Sequence, residues 1–479
     1  MRGVAGLLLG AVVWTGARTD AATPRPDPPS CEAGLPAARR TLRVATPSDL
    51  VARISAAEPG DHILAAAGAY ALDKPIRIDR SGRLEAPIVI AAEKVGAVEI
   101  TGNGGLHLFH VSHVVVCGFT FTHAPWDTTA LPFDVRGFPG AEDEIVDAAG
   151  TLLDGSHHVR ITRNTFTLAD ETRNSFWLAV SGAGSEHNEI DHNLFRGKKS
   201  RNSFLAIYGP SGGVSQHDHV HHNHFSHHGY LLEGGEAVRH GNGGRAFWSS
   251  HAVYEYNLFE KCNGDPEALS VKSSDNVVRY NTLTKSHGGI VLRHGDRNVV
   301  EGNFIVENEG GIRMYGDEHH VVDNYIAGNV GAANLGTIVL LSGGTEGDTG
   351  WGMSQNRPTG VVIENNTLVD NAFSHSDVGG TLPLLPRRCR IDDNIVQGHA
   401  GKLFNLIKEP EDCTWSGNIL WGGAPSGDTS SGYVRRDPKL VKDAHGIFRP
   451  PAGEKAGAHN PGGALGRPLT AEDVGPLAP

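Results

Sequence analysis

The sequence has little of what helical bundles and membrane proteins are built from. Apolar residues make up only 39% of the 479 positions and methionine occurs three times, whereas glycine occurs 62 times. Short strands that end in tight turns suit this composition better than long apolar helices do. The composition therefore favours an all-β fold.

Positive charge is also in deficit. The 54 acidic residues outnumber the 42 lysines and arginines, which leaves a formal net charge of −12. A general nucleic-acid binder needs a basic surface to displace counterions from phosphates, so we expect no nucleic-acid partner. An acidic protein can still bind a polyanion, provided that its lysines and arginines are concentrated in one cleft.

An apolar run lies at the N-terminus. It extends from Val4 to Trp14 after Arg2 and is followed by small residues up to Ala22, a pattern typical of a secretory signal peptide over residues 1–22. A disordered start is the alternative, because the positively charged region holds a single cation. The run is too short to span a bilayer. The sequence therefore predicts a secreted or periplasmic protein without a membrane span.

The residues after the signal peptide are predicted to form a linker and then a helix. Residues 23–40 are rich in proline and alanine and are predicted to form a linker. Ser48 then precedes an amphipathic pattern that ends at Pro59-Gly60, which predicts an N-capped helix. We expect this helix to cover the open end of the stack of coils that the rest of the sequence predicts.

One strand-like motif built around a single asparagine recurs from residue 160 onwards. Spacings of 21 to 24 residues recur along the series, one gap is doubled and others are lengthened by insertions. A repeat of this length indicates a solenoid, in which each coil packs on its neighbours. The asparagines are Asn164, Asn193, Asn223, Asn257, Asn281, Asn303, Asn324, Asn366, Asn394 and Asn418.

The chemistry of asparagine explains the repeat. A side-chain amide carries donors and an acceptor, so asparagines at one corner of successive coils can hydrogen-bond along the stack and also tolerate left-handed turns. Leucine-rich repeats are the main competitor, but their Leu-x-Leu signature is missing. We predict a single-stranded right-handed parallel β-helix over residues 41–436 with an N-terminal α-helical cap, and an irregular tail over residues 437–479 packed along it.

Cysteine number and spacing give a further expectation. Five cysteines follow the signal peptide, an odd number, so at least one has no partner within the chain. Cys389 and Cys413 are one coil apart and are candidates for a disulfide.

One group of coils carries an unusual set of cations. Lys272, Arg293 and Arg313 follow one another at intervals of 21 and 20 residues, one coil each, so we expect them to lie close together. Cations stacked in this way repel one another unless something anionic lies over them.

Nearby carboxylates allow two interpretations of these cations. Asp275 and Asp296 could neutralise them in a surface ion-pair ladder. Asp265 and Glu267, which share strand parity, could instead chelate a hard cation through oxygen. The second interpretation makes these coils a candidate site.

Four segments carry a resemblance to a known family: "GGEAVRHG", "EALSVKSSDNVVRYNT", "LRHGDRNVVEGNFI" and "GGIRMYGDEHHVVDNY". They resemble polysaccharide lyase family 6, the alginate lyases and chondroitinase B, and the likeness extends over nearly the whole mature chain. The resemblance implies β-elimination of a uronic-acid polysaccharide, with alginate expected first. It makes Lys272 the Brønsted base and Arg293 the proton donor to the leaving oxygen.

The resemblance also implies a calcium ion, held by Asp265 and Glu267. The third ligand in the family is usually the asparagine of an "NGGE" sequence, whereas this chain has "EGGE" and places Glu233 there. The family's acidic pair is usually Glu-x-Glu, and here it begins with aspartate. Glu233 could ligate calcium with added charge, or mark a site that works without metal.

Three further residues are candidates for substrate binding. We expect Arg313 to grip a sugar carboxylate bidentately and Arg239 to contribute to the same surface. His294 could contact the sugar, orient Arg293, or be a structural histidine with its hydrogen bonds satisfied. The histidine-rich run from Gln216 to His228 invites a zinc interpretation, but its alternation fits a strand with histidines on the outer face.

Other functions remain compatible with the sequence. They are a dermatan sulfate lyase of the chondroitinase B kind, a noncatalytic carbohydrate-binding β-helix, and a glycoside hydrolase that uses Asp265 and Glu267 as acid and base. Only elimination produces a conjugated double bond, so the ultraviolet absorbance of the product discriminates. We expect an acidic polysaccharide as the partner and a monomer or weak oligomer.

Overall fold

Three long parallel sheets form the framework of the molecule. The computed structural model describes residues 31–32, 34–127, 148–169, 174–210, 212–231, 233–331, 335–347, 355–372, 376–424 and 432–476. Two sheets contain 14 strands and one contains 13, and successive coils add strands in the same order. The predicted parallel β-helix is confirmed. The predicted signal peptide and much of the linker lie outside the described residues.

The strands of each sheet follow in spatial order. Sheet 1 contains Arg40–Val44, Asp61–Ala65, Ile88–Ala92, Val114–Cys117, Arg160–Thr162, Glu189–Asp191, His219–His221, Val253–Glu255, Val277–Arg279, Val299–Glu301, His320–Val322, Val362–Glu364, Arg390–Asp392 and Thr414–Ser416. Sheet 2 contains Ile76–Ile78, Leu106–Phe109, Ala148–Asp154, Phe176–Ser181, Leu205–Gly209, Val238–Gly241, Glu267–Lys272, Gly289–His294, Ile312–Met314, Ile338–Leu340, Ser376–Val378 and Asn405–Leu406, with Trp126–Asp127 paired antiparallel to Ala148–Asp154. Sheet 3 contains Gly68–Leu72, Val98–Gly102, Phe119–Phe121, Thr165–Phe166, Leu194–Arg196, His224–His228, Leu258–Cys262, Thr282–Thr284, Phe304–Val306, Tyr325–Ala327, Thr367–Val369, Ile395–Lys402, Asn418–Ala424 and Tyr433–Arg435.

An α-helix, Pro47–Ser55, lies between the first two strands of sheet 1. Thr46, and not the predicted Ser48, is its N-cap, because the Thr46 hydroxyl accepts a hydrogen bond from the backbone N–H three residues later. Leu50 and Ile54, one turn apart, are buried in the core. The predicted helix is present, and its role as a cover for the end of the stack stays a prediction.

The predicted asparagine ladder runs along one corner of the coils. Each of the first nine asparagines, beginning with Asn164, donates from Nδ2 to Oδ1 of the asparagine in the next coil at 2.9–3.2 Å, and the series ends at Asn418. The left-handed turn falls on the residue before the asparagine, as at His192, Tyr256 and Asp393, each with a φ of 52°. The asparagine supplies the hydrogen bonds, while its neighbour supplies the turn.

Inside the stack, like residues lie over like. Phe121, Phe166, Phe195, Phe225 and Phe259 form a continuous column with ring centroids 4.7–5.1 Å apart. The spacing matches that of hydrogen-bonded strands, so each ring buries its faces against the next coil. Branched aliphatic residues fill the rest of the core.

A second row of buried polar residues includes one carboxylate. Asn188 donates its backbone N–H and its Nδ2 to Asp218 Oδ1, at 2.9 and 3.1 Å. Asp218 is fully buried, and its Oδ2 has no hydrogen-bond partner among the described residues. Burial raises the pKa of Asp218 to about 6.

Histidines stack on another corner of the coils. His113, His158, His187, His217 and His251 lie one above the other, with ring centroids 4.8–5.1 Å apart. All five have a φ between 51° and 56°. Burial, followed by the charge of neighbouring histidines, lowers the pKa of His158 and of His217. The stack therefore favours neutral rings.

The disulfide differs from the expected pairing. Cys31 is bonded to Cys117, with their Cα atoms 5.6 Å apart, and this bond ties the segment before the first strand to the fourth strand of sheet 1. Cys389 and Cys413 do lie on neighbouring coils, since the Cys389 N–H donates to Cys413 Sγ at 3.1 Å, but both are free thiols. The predicted bond between them is therefore wrong.

The C-terminal segment follows the outer face of sheet 3. Phe448 N–H donates to the hydroxyl of Tyr325, and Leu469 N–H donates to the hydroxyl of Thr282. The segment contains a short antiparallel pair, Val441–Lys442 with Phe448–Arg449, and a 3₁₀ turn, Gly463–Leu465. In the described part of the chain no helix has the length and apolarity needed to cross a bilayer.

Candidate active site

Sheet 2 carries the predicted cations on its outer face. Lys272, Arg293 and Arg313 lie on three consecutive strands of this sheet. Val271 and Leu292, the residues just before Lys272 and Arg293, are buried in the core, so the alternation of a strand turns the charged side chains outward. Each of these three side chains is between 13% and 20% exposed. The structure thus places all three cations on one face of sheet 2.

The cations do not form a single row across the sheet. A bulge beside Lys272 shifts the register, so that Lys272 pairs with His294 and not with Arg293. Arg313 lies in a different row, which crosses two strands to reach Arg239. One-coil spacing predicted the strands correctly, but the bulge decides which side chains are direct neighbours.

A buried carboxylate that we did not predict from the sequence holds Lys272. Glu236 Oε1 is 3.2 Å from Lys272 Nζ and 3.0 Å from Arg239 Nε, and Glu236 Oε2 is 2.6 Å from Arg239 Nη2. Burial opposes ionisation of Glu236, but the charges of Arg239 and Lys272 lower its pKa below the ordinary value. Its signal in the sequence was its place three residues before Arg239 in "GGEAVRHG".

Glu267 connects the arginines of the next two strands. Its Oε1 lies 2.7 Å from Arg313 Nη2 and 4.0 Å from Arg293 Nε. Its Oε2 accepts a hydrogen bond from the hydroxyl of Ser270. Arg313 Nε is buried without a hydrogen-bond partner among the described residues. Arg313 is therefore anchored to Glu267 through one terminal nitrogen.

Asp265 is held by backbone groups. Its Oδ1 accepts from the N–H of Glu267 at 3.0 Å, and its Oδ2 accepts from the N–H of Gly234 at 2.5 Å. Burial, together with the charges of Glu236 and Glu267, raises the pKa of Asp265 to about 6. Asp265 is thus a structural link between the two loops that precede the strands of Arg239 and Lys272.

The third predicted calcium ligand, Glu233, lies apart from the other two. Its side chain is 77% exposed, and its Oε1 is 3.8 Å from Arg201 Nη2. Asp265 and Glu267 direct their oxygens to the hydrogen bonds described above, so these three carboxylates do not converge on one point. Calcium requires converging oxygens at 2.3–2.6 Å. The ligand set predicted from the family pattern does not fit a calcium ion here.

A separate cluster of carboxylates and histidine lies on sheet 1. Glu189, Asp191 and His221 are the one set of three or more potential metal ligands that the described residues bring within 4.8 Å of one another. Asp191 is already engaged by Arg160 through two hydrogen bonds of 2.8 Å. His219 and His221 face outward and the apolar residue between them is buried, which confirms the predicted strand in the histidine-rich run.

His294 adds a neutral polar group to the active face. It is 8% exposed and lies beside Lys272 in register. Burial, and then the charges of Arg293 and Lys272, lower its pKa to about 3. The ring is therefore uncharged at neutral pH and can accept or donate a hydrogen bond without adding to the cationic field.

A comparison with family models identifies the family of the chain. A model described as Chondroitinase B matches residues 44–383, more than half of the chain. The chain belongs to the chondroitinase B family. Membership of this family confirms the resemblance to polysaccharide lyase family 6 inferred from the sequence. No curated protein matches the chain.

Solved structures have the same fold as this chain. AlyGC, an alginate lyase of family PL6, matches with a TM-score of 0.78 at 24% identity, over 91% of this chain and 58% of that one. A PL6 alginate lyase in complex with a trisaccharide matches at 0.71 and 21%, over 93% and 97%. Pedsa3628, a PL6 lyase from Pseudopedobacter saltans, matches at 0.66 and 21%, over 91% and 99%. The chain described here spans a little over half of the length of AlyGC.

Proposed function

We propose that this lyase is secreted or periplasmic and cleaves alginate by β-elimination. The observation that carries the proposal is the outer face of sheet 2, where Lys272, Arg239, Arg293 and Arg313 surround two buried or half-buried glutamates. A face with this excess of cations suits a polymer that bears one carboxylate on each sugar. Alginate is favoured because AlyGC and other solved structures with this fold are alginate lyases.

Lys272 is proposed as the base. Its neutral amine takes the proton from C5 of the uronate, and the freed electron pair forms a double bond between C4 and C5 as the bond from C4 to the bridging oxygen breaks. Glu236 Oε1, 3.2 Å from Lys272 Nζ, fixes the position of the amine. A base held in place removes the orientational cost of proton transfer.

Arg293 is proposed to act on the leaving oxygen. It lies on the strand next to Lys272, and its only ion pair among the described residues is the 4.0 Å approach to Glu267. Its guanidinium can therefore hydrogen-bond to the bridging oxygen and stabilise its developing charge, while a solvent water molecule supplies the proton that this oxygen takes up. His294, uncharged and beside Lys272, is proposed to bind a hydroxyl of the same sugar.

The proposal is tested by following the absorbance of the conjugated product with alginate, its two block types and dermatan sulfate. Dermatan sulfate is included because the matching family model bears the name of chondroitinase B. We expect a signal with alginate and a loss of about 10³-fold in kcat for Lys272→Ala. Lys285→Ala, at an exposed lysine whose Nζ is 3.9 Å from Glu307, is the control and should keep full activity.

Three outcomes would contradict the proposal in different ways. A signal only with dermatan sulfate would leave the mechanism and overturn the substrate. Chain cleavage without new absorbance would indicate hydrolysis. No cleavage of any uronate polymer, with parent and Lys272→Ala equally silent, would indicate a noncatalytic protein.

A further inference from the structure

We propose that Arg313, anchored by Glu267, neutralises the substrate carboxylate in this lyase, in the position where the family pattern implies calcium. The inference rests on the proposed β-elimination and assigns the charge-neutralising role within it. It follows from which donors occupy the carboxylate oxygens on the outer face of sheet 2.

The oxygens that a calcium ion would need are already bonded to protein groups. Glu267 Oε1 is 2.7 Å from Arg313 Nη2, and its Oε2 accepts from Ser270. Asp265 accepts one backbone N–H at each oxygen, from Glu267 and from Gly234. Binding calcium here would require each of these bonds to be exchanged for a metal ligand bond.

Glu236 cannot take the place of the missing third ligand. Both of its oxygens are bonded to Arg239, and one of them also to Lys272. Freeing Glu236 for a metal would leave Arg239 and Lys272 without their counter-ion in a half-buried site, which is costly. The exposed Glu233, beside Arg201, is the residue that replaces the family's asparagine, and it does not turn towards the other carboxylates.

The charges of the cluster are balanced without a metal. When Lys272 is the neutral base, the three arginines Arg239, Arg293 and Arg313 face the three carboxylates Glu236, Asp265 and Glu267. An anionic sugar carboxylate can therefore be met by guanidinium charge that the chain itself supplies. This is the electrostatic requirement for removing a proton next to a carboxylate, because charge builds up on that group as C5 is deprotonated.

Arg313 has the geometry for the role. Its Nη2 is engaged by Glu267, and its side chain remains 13% exposed on the outer face of sheet 2. A planar guanidinium offers two parallel donors to a carboxylate, which a lysine cannot do. Glu267 holds Nη2 in place and leaves Nη1 to donate to the substrate.

Calcium binding and catalysis are tested separately. The protein is stripped with a chelator and titrated with calcium by calorimetry in the absence of substrate, and elimination is then followed with chelator and with added calcium. We expect no stoichiometric calcium site and equal rates in both conditions. Arg313→Gln should lower kcat by about 100-fold, without recovery on adding calcium, and Arg313→Lys should recover only part of the rate.

Glu233→Ala is the matched control, because it removes the residue that stands at the family's ligand position. We expect it to keep the parental rate and thermal stability. Elimination that stops after chelation and resumes with calcium, or one bound calcium per chain that Glu233→Ala weakens, would overturn this inference while leaving the proposed lyase function intact. Absence of elimination with every uronate polymer would overturn both.

Discussion

Replacing the buried carboxylate of Asp218 with an amide should stabilise the folded chain at neutral pH. Asp218 lies in the second row of polar residues, where Asn188 donates to its Oδ1 and its Oδ2 has no partner among the described residues. The variant Asp218→Asn keeps the acceptor for Asn188 and removes the uncompensated charge. Its new Nδ2 would point to the place where other asparagines of this row donate to a backbone carbonyl, as Asn188 does to Ser156.

The size of the effect follows from the pKa of Asp218. Burial raises that pKa from 3.8 to about 6, and each unit corresponds to about 1.4 kcal/mol. An acid with a raised pKa binds more protons in the folded state than in the unfolded state, so its contribution to stability falls as the pH rises from about 4 to about 6. At neutral pH we expect Asp218→Asn to gain roughly 3 kcal/mol over the parent.

Urea denaturation of the parent and the variant between about pH 4 and pH 7.5 would measure this gain. The difference between the two should be near zero at the acid end, grow through pH 5 and level off above pH 6. The control Asp191→Asn should destabilise, because this other buried carboxylate is paired with Arg160, whose hydrogen bonds lower its pKa in spite of burial. A variant Asp218→Asn that is less stable than the parent at neutral pH would refute the reasoning.

Three other perturbations follow from the fold. Cys31→Ser, which breaks the bond to Cys117, should lower the free energy of unfolding by about 2–4 kcal/mol in an unfolding titration, and thiol labelling should count one new free cysteine. Asn281→Ala should cost about 3 kcal/mol by the same measurement, because it leaves the two buried donors of Asn257 and the carbonyl of Tyr254 without their partner. The histidine stack, in which the pKa of His158 is lowered, contributes stability above about pH 6.5 that is lost on acidification, so thermal melts should show a shallower acid dependence for His158→Gln.

Most of the fold could be predicted from the asparagine repeat, because the geometry of the repeat is local. Each coil from residue 160 onwards places one amide at the same corner, so spacing located the strands of Lys272 and Arg293. Spacing miscounted one coil, because the doubled gap between Asn324 and Asn366 is a single coil with a long insertion. The disulfide could not be predicted from the sequence, because its geometry is not local. Cys31 lies in a proline-rich segment without periodicity, 86 residues from Cys117, and only the path of the chain brings the two together.

The cations of the active face and the carboxylates Asp265 and Glu267 were predicted from the sequence, whereas Glu236 was not. Lys272 and Arg313 stand out in the sequence because they repeat at coil spacing. Glu236 does not repeat, and the family pattern drew attention to Glu233 in the same short motif. The structure distinguishes the two, since a loop turn leaves Glu233 77% exposed while Glu236 is buried against Lys272. The conformation of such a turn depends on contacts between loops, and the spacing of residues in one sequence does not predict these contacts.

The asparagine ladder also has an electrical consequence. Every Nδ2 from Asn164 to Asn394 donates towards the C-terminal end of the stack, so the amide dipoles of the ladder point the same way and polarise one another. An amide in the middle is polarised from both sides, whereas one at an end is polarised from one. The same substitution should therefore cost more at Asn281 than at Asn418, although both side chains are equally buried.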